Sequence, residues 1–431
     1  MKLPSRGHCA VWSVALCFLF TAASSILAQE WTRFRGPNGS GQSEAKIPAR
    51  WTDAEINWKI ALPGSGHSSP VLWGDKLFIT SADLSAGERY LICLNTADGH
   101  ELWRKSYPFD KYHVHEQNSF ATSTAAVDAD RVYIVWSNPK QCTLYALTHD
   151  GKDLWHTDLG SFTSQHGFAS SPIVYKNFVI LSDEQDGPNP ESGGNPATAK
   201  LDGKSFIYAI DRETGEVRWK TPRKSTIVTY ATPCVYDSQS GRQQLIFDSR
   251  SHGMSGVDPD TGKVLWELPL FDQRAVGSPI LVGRLVLGSC GVGSGNNSLA
   301  AVDPDGSGHK PEMIYKIDRV SAPYVPSPVA AGNLVFLWTD RGVITCIDGQ
   351  TGKSKWREHI GGSFSSSPVR SGDKIFCASV DGDMYVIAAA DRYELLAKNS
   401  LGETCRATPA VAGGRMYVRT ASHLMSIGGK E

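Results

Sequence analysis

The sequence has no excess of charge of either sign. Its 431 residues contain 43 Lys and Arg against 44 Asp and Glu. Proteins that bind nucleic acid or an anionic membrane surface concentrate basic residues for that purpose. We therefore expect no nucleic-acid partner, and membrane contact that is at most peripheral.

Cysteine occurs in a pattern that argues against two of its common uses. Of nine Cys, Cys9 and Cys17 lie near the beginning, which leaves an odd number, seven, in the rest of the chain. None forms a CxxC pair, so neither a disulfide framework nor a structural zinc site is indicated. Four of the seven lie in strand-like apolar runs, where we expect buried thiols that act as small hydrophobic groups.

Helical periodicity is also missing. No repeat keeps a 3.6-residue apolar period over ten or more positions, and there is no heptad run, so helical solenoids and coiled coils are excluded.

One strongly apolar run lies close to the beginning of the sequence. Lys2 and Arg6 precede VWSVALCFLF (11–20), and small residues follow as far as Ala28. This is the order of a secretory signal, and its apolar core of about ten residues is short for a membrane span. We predict a signal peptide over residues 1–28 and export to the periplasm or cell surface. A retained membrane anchor is the alternative.

A recurring phrase indicates a repeat protein. In each copy Asp or Asn stands four residues before Gly, and Gly stands four residues before Trp. The copies are CLNTADGHELW (93–103), AIDRETGEVRW (209–219), GVDPDTGKVLW (256–266) and CIDGQTGKSKW (346–356), with a slipped copy that ends at Trp155. A fixed recurrence of this kind decides the architecture before any other signal.

A second phrase, Ser or Thr followed by Pro and a short apolar run, marks the other end of each repeat. With TSTAAV around Thr124 it gives eight starts, and each repeat holds strand-sized runs joined by tight turns. This pattern predicts an all-β, eight-bladed propeller of four-stranded antiparallel blades over residues 55–428, preceded by a lead-in segment at 29–54. The last repeat has only three strands, so we expect the N-terminal strand that contains Trp58 to close it.

The tryptophans of the phrase are predicted to be structural. They fall on the outer strand, where a large flat side chain can pack against the next blade. The predicted docking residues are Trp58, Trp103, Trp155, Trp219, Trp266 and Trp356.

These phrases resemble the repeats of the PQQ-like (quinoprotein) β-propeller family, whose blades carry A-x-D-x-x-x-G-K-x-x-W. The best matches are Ala209–Trp219, Gly256–Trp266 and Cys346–Trp356, and the resemblance covers roughly residues 55–428. Blades 5 and 7 depart from it. The opening WTRFRGPNGSG (31–41) is similar to the lead-in of secreted bacterial members.

The resemblance implies one of two branches. Quinoprotein alcohol and sugar dehydrogenases hold PQQ with a calcium ion in the funnel of an eight-bladed ring, beside a vicinal Cys-Cys pair. This chain has no Cys-Cys and no assignable Glu, Asn and Asp set for calcium. The resemblance therefore favours the non-enzymatic envelope propellers similar to outer-membrane-protein assembly factor B (BamB), with no cofactor. A PQQ- and calcium-dependent dehydrogenase is the alternative.

Candidate binding residues concentrate on one face. Up-and-down connectivity places the loop before each first strand on the same face as the loop between the second and third strands, which includes the long insertion 184–204. We predict a channel rim formed by His67, His115, Gln117, His166, Tyr230, Arg274, Tyr324 and Arg406. Loops on a rigid scaffold commonly carry binding residues. Alternatively, these loops are polar simply because they are loops, and Phe120, Phe168 and Phe364 plug the channel.

We interpret the chain as a monomeric binding or scaffolding propeller of the bacterial envelope. Its rim would recognise an envelope protein or a cell-surface polymer, without catalytic residues. A metal site from His113, His115 and His166 with Asp183 or Asp186 is conceivable, but ligation needs fixed geometry that loop sequence does not show. We therefore expect no metal.

Overall fold

The computed structural model describes Met1, residues 30–188 and residues 201–429. The predicted signal peptide and the central part of the insertion 184–204 lie outside the described residues. Two strands precede the first blade: β1 (Gln42–Ser43) and β2 (Ile56–Ala61). Three short 3-10 helices cover Pro37–Gly39, Ser307–His309 and Arg319–Ser321. Within the described parts, no helix is long and apolar enough to cross a membrane.

The first four blades follow in chain order, each a four-stranded antiparallel sheet. Blade 1 contains β3 (Val71–Trp73), β4 (Lys76–Asp83), β5 (Glu88–Asn95) and β6 (Glu101–Pro108). Blade 2 contains β7 (Ala126–Val127), β8 (Arg131–Asn138), β9 (Gln141–Thr148) and β10 (Asp153–Asp158). Blade 3 contains β11 (Ile173–Tyr175), β12 (Phe178–Asp183), β13 (Ser205–Asp211) and β14 (Val217–Arg223). Blade 4 contains β15 (Cys234–Asp237), β16 (Gln243–Ser249), β17 (Gly253–Val257) and β18 (Val264–Leu268).

The other four blades repeat the arrangement. Blade 5 contains β19 (Ile280–Val282), β20 (Leu285–Cys290), β21 (Ser298–Asp303) and β22 (Glu312–Asp318). Blade 6 contains β23 (Val329–Ala331), β24 (Leu334–Trp338), β25 (Val343–Asp348) and β26 (Ser354–His359). Blade 7 contains β27 (Val369–Ser371), β28 (Lys374–Ala378), β29 (Asp383–Ala388) and β30 (Leu395–Ser400). Blade 8 has β31 (Ala410–Ala412), β32 (Arg415–Arg419) and β33 (His423–Gly428) from the C-terminal end.

The prediction of an eight-bladed propeller is confirmed, including the way the ring closes. Strand β2 supplies the fourth strand of blade 8 and pairs antiparallel with β33, with Trp58 opposite Ser426. Two distant parts of the chain therefore share one sheet. The seven described cysteines are free and buried, as the apolar runs indicated for four of them.

The recurring phrase is a docking device between consecutive blades. Five indole N–H groups donate to a carbonyl in the next blade's turn: Trp58 to Thr96 (3.0 Å), Trp103 to His149 (2.8 Å), Trp155 to Arg212 (3.0 Å), Trp219 to Pro259 (3.1 Å) and Trp356 to Ala390 (3.1 Å). In the turn that receives Trp219, Asp258 accepts hydrogen bonds from the backbone of Asp260 and Thr261, and Gly262 adopts a φ of 73°. A Cβ on Gly262 would lie 2.5 Å from the Trp219 ring. Glycine is thus required there by conformation and by the close approach of the preceding blade.

Two blades depart from the docking pattern. The Trp266 indole donates to Gln244 in its own blade (2.7 Å) and not to the turn of the next blade, although its ring packs against a cluster that includes Val286 and Ala300 of blade 5. The physical reason is the longer turn of blade 5, where Gly306 lies beside Glu312 and Lys310 and not beneath the indole. In blade 7, Ala397 occupies the tryptophan position and pairs with Val386 beside a register shift.

The lead-in, residues 30–54, contacts the innermost strands of several blades with its first part, and its later residues Ala49 and Trp51 hydrogen-bond with Asn399 in β30. Trp31 pairs with Leu72 of blade 1, and β1 adds to β27 of blade 7 as a parallel strand. Between these contacts, the buried Arg35 donates to the carbonyls of Pro328 (2.6 Å) and Pro368 (2.9 Å). Burial lowers the pKa of the Arg35 guanidinium to about 9, below the usual arginine range but still cationic at neutral pH. The lead-in therefore ties several blades together from inside the ring.

Candidate functional site

One end of the channel is a cavity of about 450 Å³. The loops before the innermost strands form its wall, because those strands surround the axis of the ring. All eight predicted rim residues line it: His67, His115, Gln117, His166, Tyr230, Arg274, Tyr324 and Arg406. They belong to the loops that lead into seven of the eight blades. We call these eight residues the rim. Their placement together is observed, whereas their role in binding stays a prediction.

Arg274 is the centre of one side of the rim. Its backbone forms a β-bridge with Gly291, which holds the loop in place. Its Nη1 lies 3.3 Å from Nε2 of His166 and donates to the Tyr324 hydroxyl at 3.4 Å. Because Nε2 of His166 must accept this hydrogen bond, the imidazole carries its proton on Nδ1. Burial, followed by the positive charge of Arg274, lowers the pKa of His166 to about 4. The imidazole is therefore neutral near pH 7.

The loops at 113–118 and 164–168 are joined beside Arg274. The rings of His115 and His166 stack with centroids 4.7 Å apart, and Asn118 donates to the His166 carbonyl at 2.7 Å. The Tyr230 hydroxyl donates to the carbonyl of Gly167 at 3.0 Å, and burial raises its pKa. This side of the rim is a fixed surface of two imidazoles and two phenols around one guanidinium.

Arg406 and His67 form the opposite side. The Nη1 of Arg406 donates to the hydroxyl of Ser365 at 3.1 Å. Burial, followed by the charges of Arg419 and Arg406, lowers the pKa of His67 to about 3. Among the described residues, neither Arg274 nor Arg406 forms an ion pair. The rim therefore presents two cations that no protein carboxylate neutralises by direct contact.

The floor of the cavity is a ring of hydroxyl groups from the Ser/Thr-Pro phrase. Its members are Thr124, Ser171, Thr232, Ser327, Ser367 and Thr408, each at most 6% exposed. We call these six residues the hydroxyl ring. The backbone N–H groups of Ser327 and Ser367 donate to the hydroxyls of Ser367 (2.9 Å) and Thr408 (3.0 Å), and Thr124 donates likewise to Ser171 (3.0 Å). The recurring Ser or Thr therefore links each blade to its neighbour.

The sequence did not reveal several lining residues. Phe34 of the lead-in contributes to the cavity, although nothing local in the sequence indicated that residue 34 lies inside the ring. Glu116 and Asn118 also line it, next to residues that were predicted. The hydroxyl ring could have been found, because five of its members directly precede the recurring Pro that was used to count blades and Thr124 holds the equivalent position in TSTAAV. The three phenylalanines proposed as a channel plug, Phe120, Phe168 and Phe364, pack in hydrophobic clusters instead.

The conceivable metal set is not assembled. His115 stacks on His166, whereas Asp186 accepts from the backbone of Gln165 (2.8 Å) and Val228 (2.7 Å). Across the described residues, no group of three or more His, Cys, Asp and Glu is close enough to hold a metal ion.

Comparison with known proteins identifies the family. The family model described as outer membrane protein assembly factor BamB, built on PQQ-like repeats, matches residues 87–358 and 296–422. The chain belongs to this family.

Individual relatives are distant. BamB of Burkholderia pseudomallei is 20% identical over 431 residues, which covers 97% of each chain. The BamB structure from Moraxella catarrhalis has a TM-score of 0.59 at 16% identity and covers 86% of this chain and 98% of that one. A europium-containing methanol dehydrogenase has a TM-score of 0.67 at 12% identity, with 91% and 90% covered. These structural likenesses show the fold and leave the activity to be argued from the site.

The cavity does not fit PQQ with its metal ion. A hard cation such as calcium takes six to eight oxygen ligands, mostly carboxylates and carbonyls. Among the described lining residues, the exposed Glu116 supplies the one carboxylate, and Arg274 and Arg406 form no ion pair. Positive charge of this kind opposes a bound cation.

Proposed function

We propose that this chain is an exported binding and scaffolding propeller of the bacterial envelope, which recognises a protein partner through its rim. The observation that carries the proposal is the convergence of the eight rim residues, from seven blade entrances, on one cavity. The arrangement includes no nucleophile–base pair among the described lining residues. Rigid presentation of polar and aromatic side chains is typical of a recognition surface.

Membership of the BamB family supports this role. The family model is described as an outer membrane protein assembly factor. The match to the relative from Burkholderia pseudomallei covers 97% of this chain and 97% of that protein. A partner in the assembly of outer membrane proteins therefore fits the proposal. The predicted signal peptide is consistent with export to the compartment where such a partner lies.

Site-specific photo-cross-linking in intact cells tests the proposal. A photoreactive amino acid at Gln117, which is exposed on the rim, should cross-link to a specific envelope protein. The matched control places it at Lys355, which is exposed on the outer strand β26. Cross-linking to the same protein from both positions, or from neither, would contradict recognition through the rim. Retention on insoluble cell-wall polysaccharide without any protein cross-link would assign the rim to a polymer instead.

The dehydrogenase alternative has its own test. We expect that adding PQQ and calcium to the purified protein produces no dye reduction with alcohols or sugars, because the lining is unsuited to the metal. Quinone-dependent turnover would overturn the binding role as the sole function.

A further inference from the structure

The rim has two guanidinium groups without a carboxylate partner, and the hydroxyl ring has protons that no described protein group accepts. These two features indicate the chemical class of the ligand. We propose that the cavity binds a ligand that carries at least two oxyanion groups, carboxylate or phosphate, held between Arg274 and Arg406 above the hydroxyl ring. This inference rests on the proposed binding role of the cavity and adds the chemical class of what enters it.

Arg274 and Arg406 have no carboxylate partner among the described residues. Buried or half-buried charges in proteins are normally paired, because removing a charge from water is costly. Arg274 and Arg406 are half-buried, and within the described residues they contact only neutral groups: His166 and Tyr324 for the first, Ser365 for the second. Only Nη1 of each guanidinium is engaged, and within the described residues Nη2 of neither arginine donates to a protein group. Both guanidinium groups therefore retain donors for an external acceptor.

The hydroxyl ring contains hydrogen-bond donors that the protein does not use. A Ser or Thr hydroxyl can accept two hydrogen bonds and donate one. In the described structure, the hydroxyls of Ser327, Ser367 and Thr408 each accept from a neighbouring backbone N–H, and none of the six ring hydroxyls donates to a protein group. Each of these three hydroxyls accepts a hydrogen bond from the protein but donates its own proton to none. The ring can therefore donate hydrogen bonds to a ligand. Accepting an N–H also polarises a hydroxyl and strengthens it as a donor.

The imidazole of His166 lies beside the Arg274 guanidinium. His166 is fixed as a neutral ring by the hydrogen bond from Arg274, and its Nδ1–H is buried without a partner. That nitrogen is enclosed by protein, so the donors that line the cavity are the two guanidinium groups and the hydroxyl ring. Among the described lining residues, the exposed Glu116 is the one carboxylate. Asp186, whose charge also acts on Arg274, already accepts from the backbone of Gln165 and Val228. Arg fits planar oxyanions well because its parallel N–H groups match the two oxygens of a carboxylate or phosphate.

Calorimetric titration of the full-length protein at low ionic strength tests this inference. The probes are citrate, pyrophosphate and the neutral polyol sorbitol. We expect citrate or pyrophosphate to bind with 1:1 stoichiometry and sorbitol not to bind. Citrate alone would assign the site to carboxylates and pyrophosphate alone to phosphates. Binding of neither anion, or equal binding of sorbitol, would overturn the inference.

Variants localise the site. Arg274→Gln and Arg406→Gln should each weaken anion binding by about ten- to a hundredfold. Thr232→Val removes one free hydroxyl that accepts no protein hydrogen bond, and should weaken binding by about three- to tenfold. Arg357→Gln removes the same charge from the exposed face of β26 and should leave binding unchanged. Melting temperatures show that each variant is folded, and equal loss in Arg357→Gln would mean nonspecific attraction and overturn the inference.

The outcome is separable from that of the proposed function. A protein that binds no oxyanion but still cross-links its envelope partner from residue 117 would overturn this inference and leave the proposed function intact. A protein that binds oxyanions at Arg274 and Arg406 but cross-links to no envelope protein would support this inference and overturn the proposed function.

Discussion

At the scale of single residues, the docking turns show why glycine recurs in the phrase. Gly262 needs a positive φ and also has the Trp219 ring of the preceding blade directly against it. We expect Gly262→Ala to destabilise the protein by about 3–5 kcal/mol, of which about 1–2 kcal/mol is backbone strain and the remainder overpacking. Urea unfolding measures the difference.

Two comparisons isolate the contact between blades. Gly332 has a φ of 60°, and a Cβ added there would have no atom within 4 Å. Gly332→Ala should therefore lower the free energy of unfolding only by the backbone strain. In a Trp219→Ala background, Gly262→Ala should also cost less, because the ring that it meets is gone. Equal costs for Gly262→Ala and Gly332→Ala, or the same cost in both backgrounds, would show that the glycine does not serve docking.

His67 makes stability depend on pH in a definite direction. Its pKa is about 3 in the folded protein against 6.5 for a free histidine, so the unfolded chain takes up the proton first. The stability linked to His67 is therefore complete above pH 6.5 and is lost as the pH falls towards 3, by about 1.4 kcal/mol per pH unit. Urea unfolding of wild type and His67→Gln at pH 7 and pH 4.5 checks this. The variant should lose less stability between these two values, and an equal loss in both proteins would contradict the assignment.

At the scale of elements, the blades could be predicted and the lead-in could not. Each blade is built from strands close in sequence, and its turns carry local signals such as Asp258 and Gly262, so the pattern alone gave the count and the closure by Trp58. The lead-in has no such local signal, because Trp31 pairs with Leu72 in another part of the chain and Arg35 with Pro368, 333 residues away. The hydrogen bond of Trp266 could not be predicted for a related reason: its acceptor depends on the turn of the following blade.

Part of the candidate site could likewise be predicted from the sequence, and part could not. The rim could be predicted because each member stands a few residues before a recurring Pro, and the topology then brings all of them together. Contacts between rim residues, such as the stacking of His115 on His166, depend on loop conformations that no repeat specifies. Phe34 was missed because it comes from outside the repeats.

The lead-in should contribute strongly to stability through Arg35. Arg35→Gln leaves the carbonyls of Pro328 and Pro368 without their buried donor, at a cost of about 1–3 kcal/mol each. We expect a total loss of roughly 3–5 kcal/mol in urea unfolding, with Arg357→Gln as an unaffected control. A loss below about 1 kcal/mol would indicate that water replaces the guanidinium and that the lead-in is only loosely held.

At the scale of the whole molecule, the N-terminal region performs two tasks that a pair of truncations separates. Residues 30–54 tie several blades together through Trp31, Arg35 and β1, whereas β2 closes the ring by covering β33. Removal of residues 30–54 should lower the melting temperature but leave a closed, monomeric propeller, because the pairing of Trp58 with Ser426 remains.

Removal of residues 30–61 also deletes β2 and exposes the edge of β33, five of whose six residues are buried in the intact protein. An uncovered apolar edge strand pairs with other chains, so we expect aggregation or higher oligomers in size-exclusion chromatography. If the longer deletion stays monomeric and melts at the same temperature as the shorter one, closure by β2 does not hold the ring together, and the docking contacts between blades must be sufficient on their own.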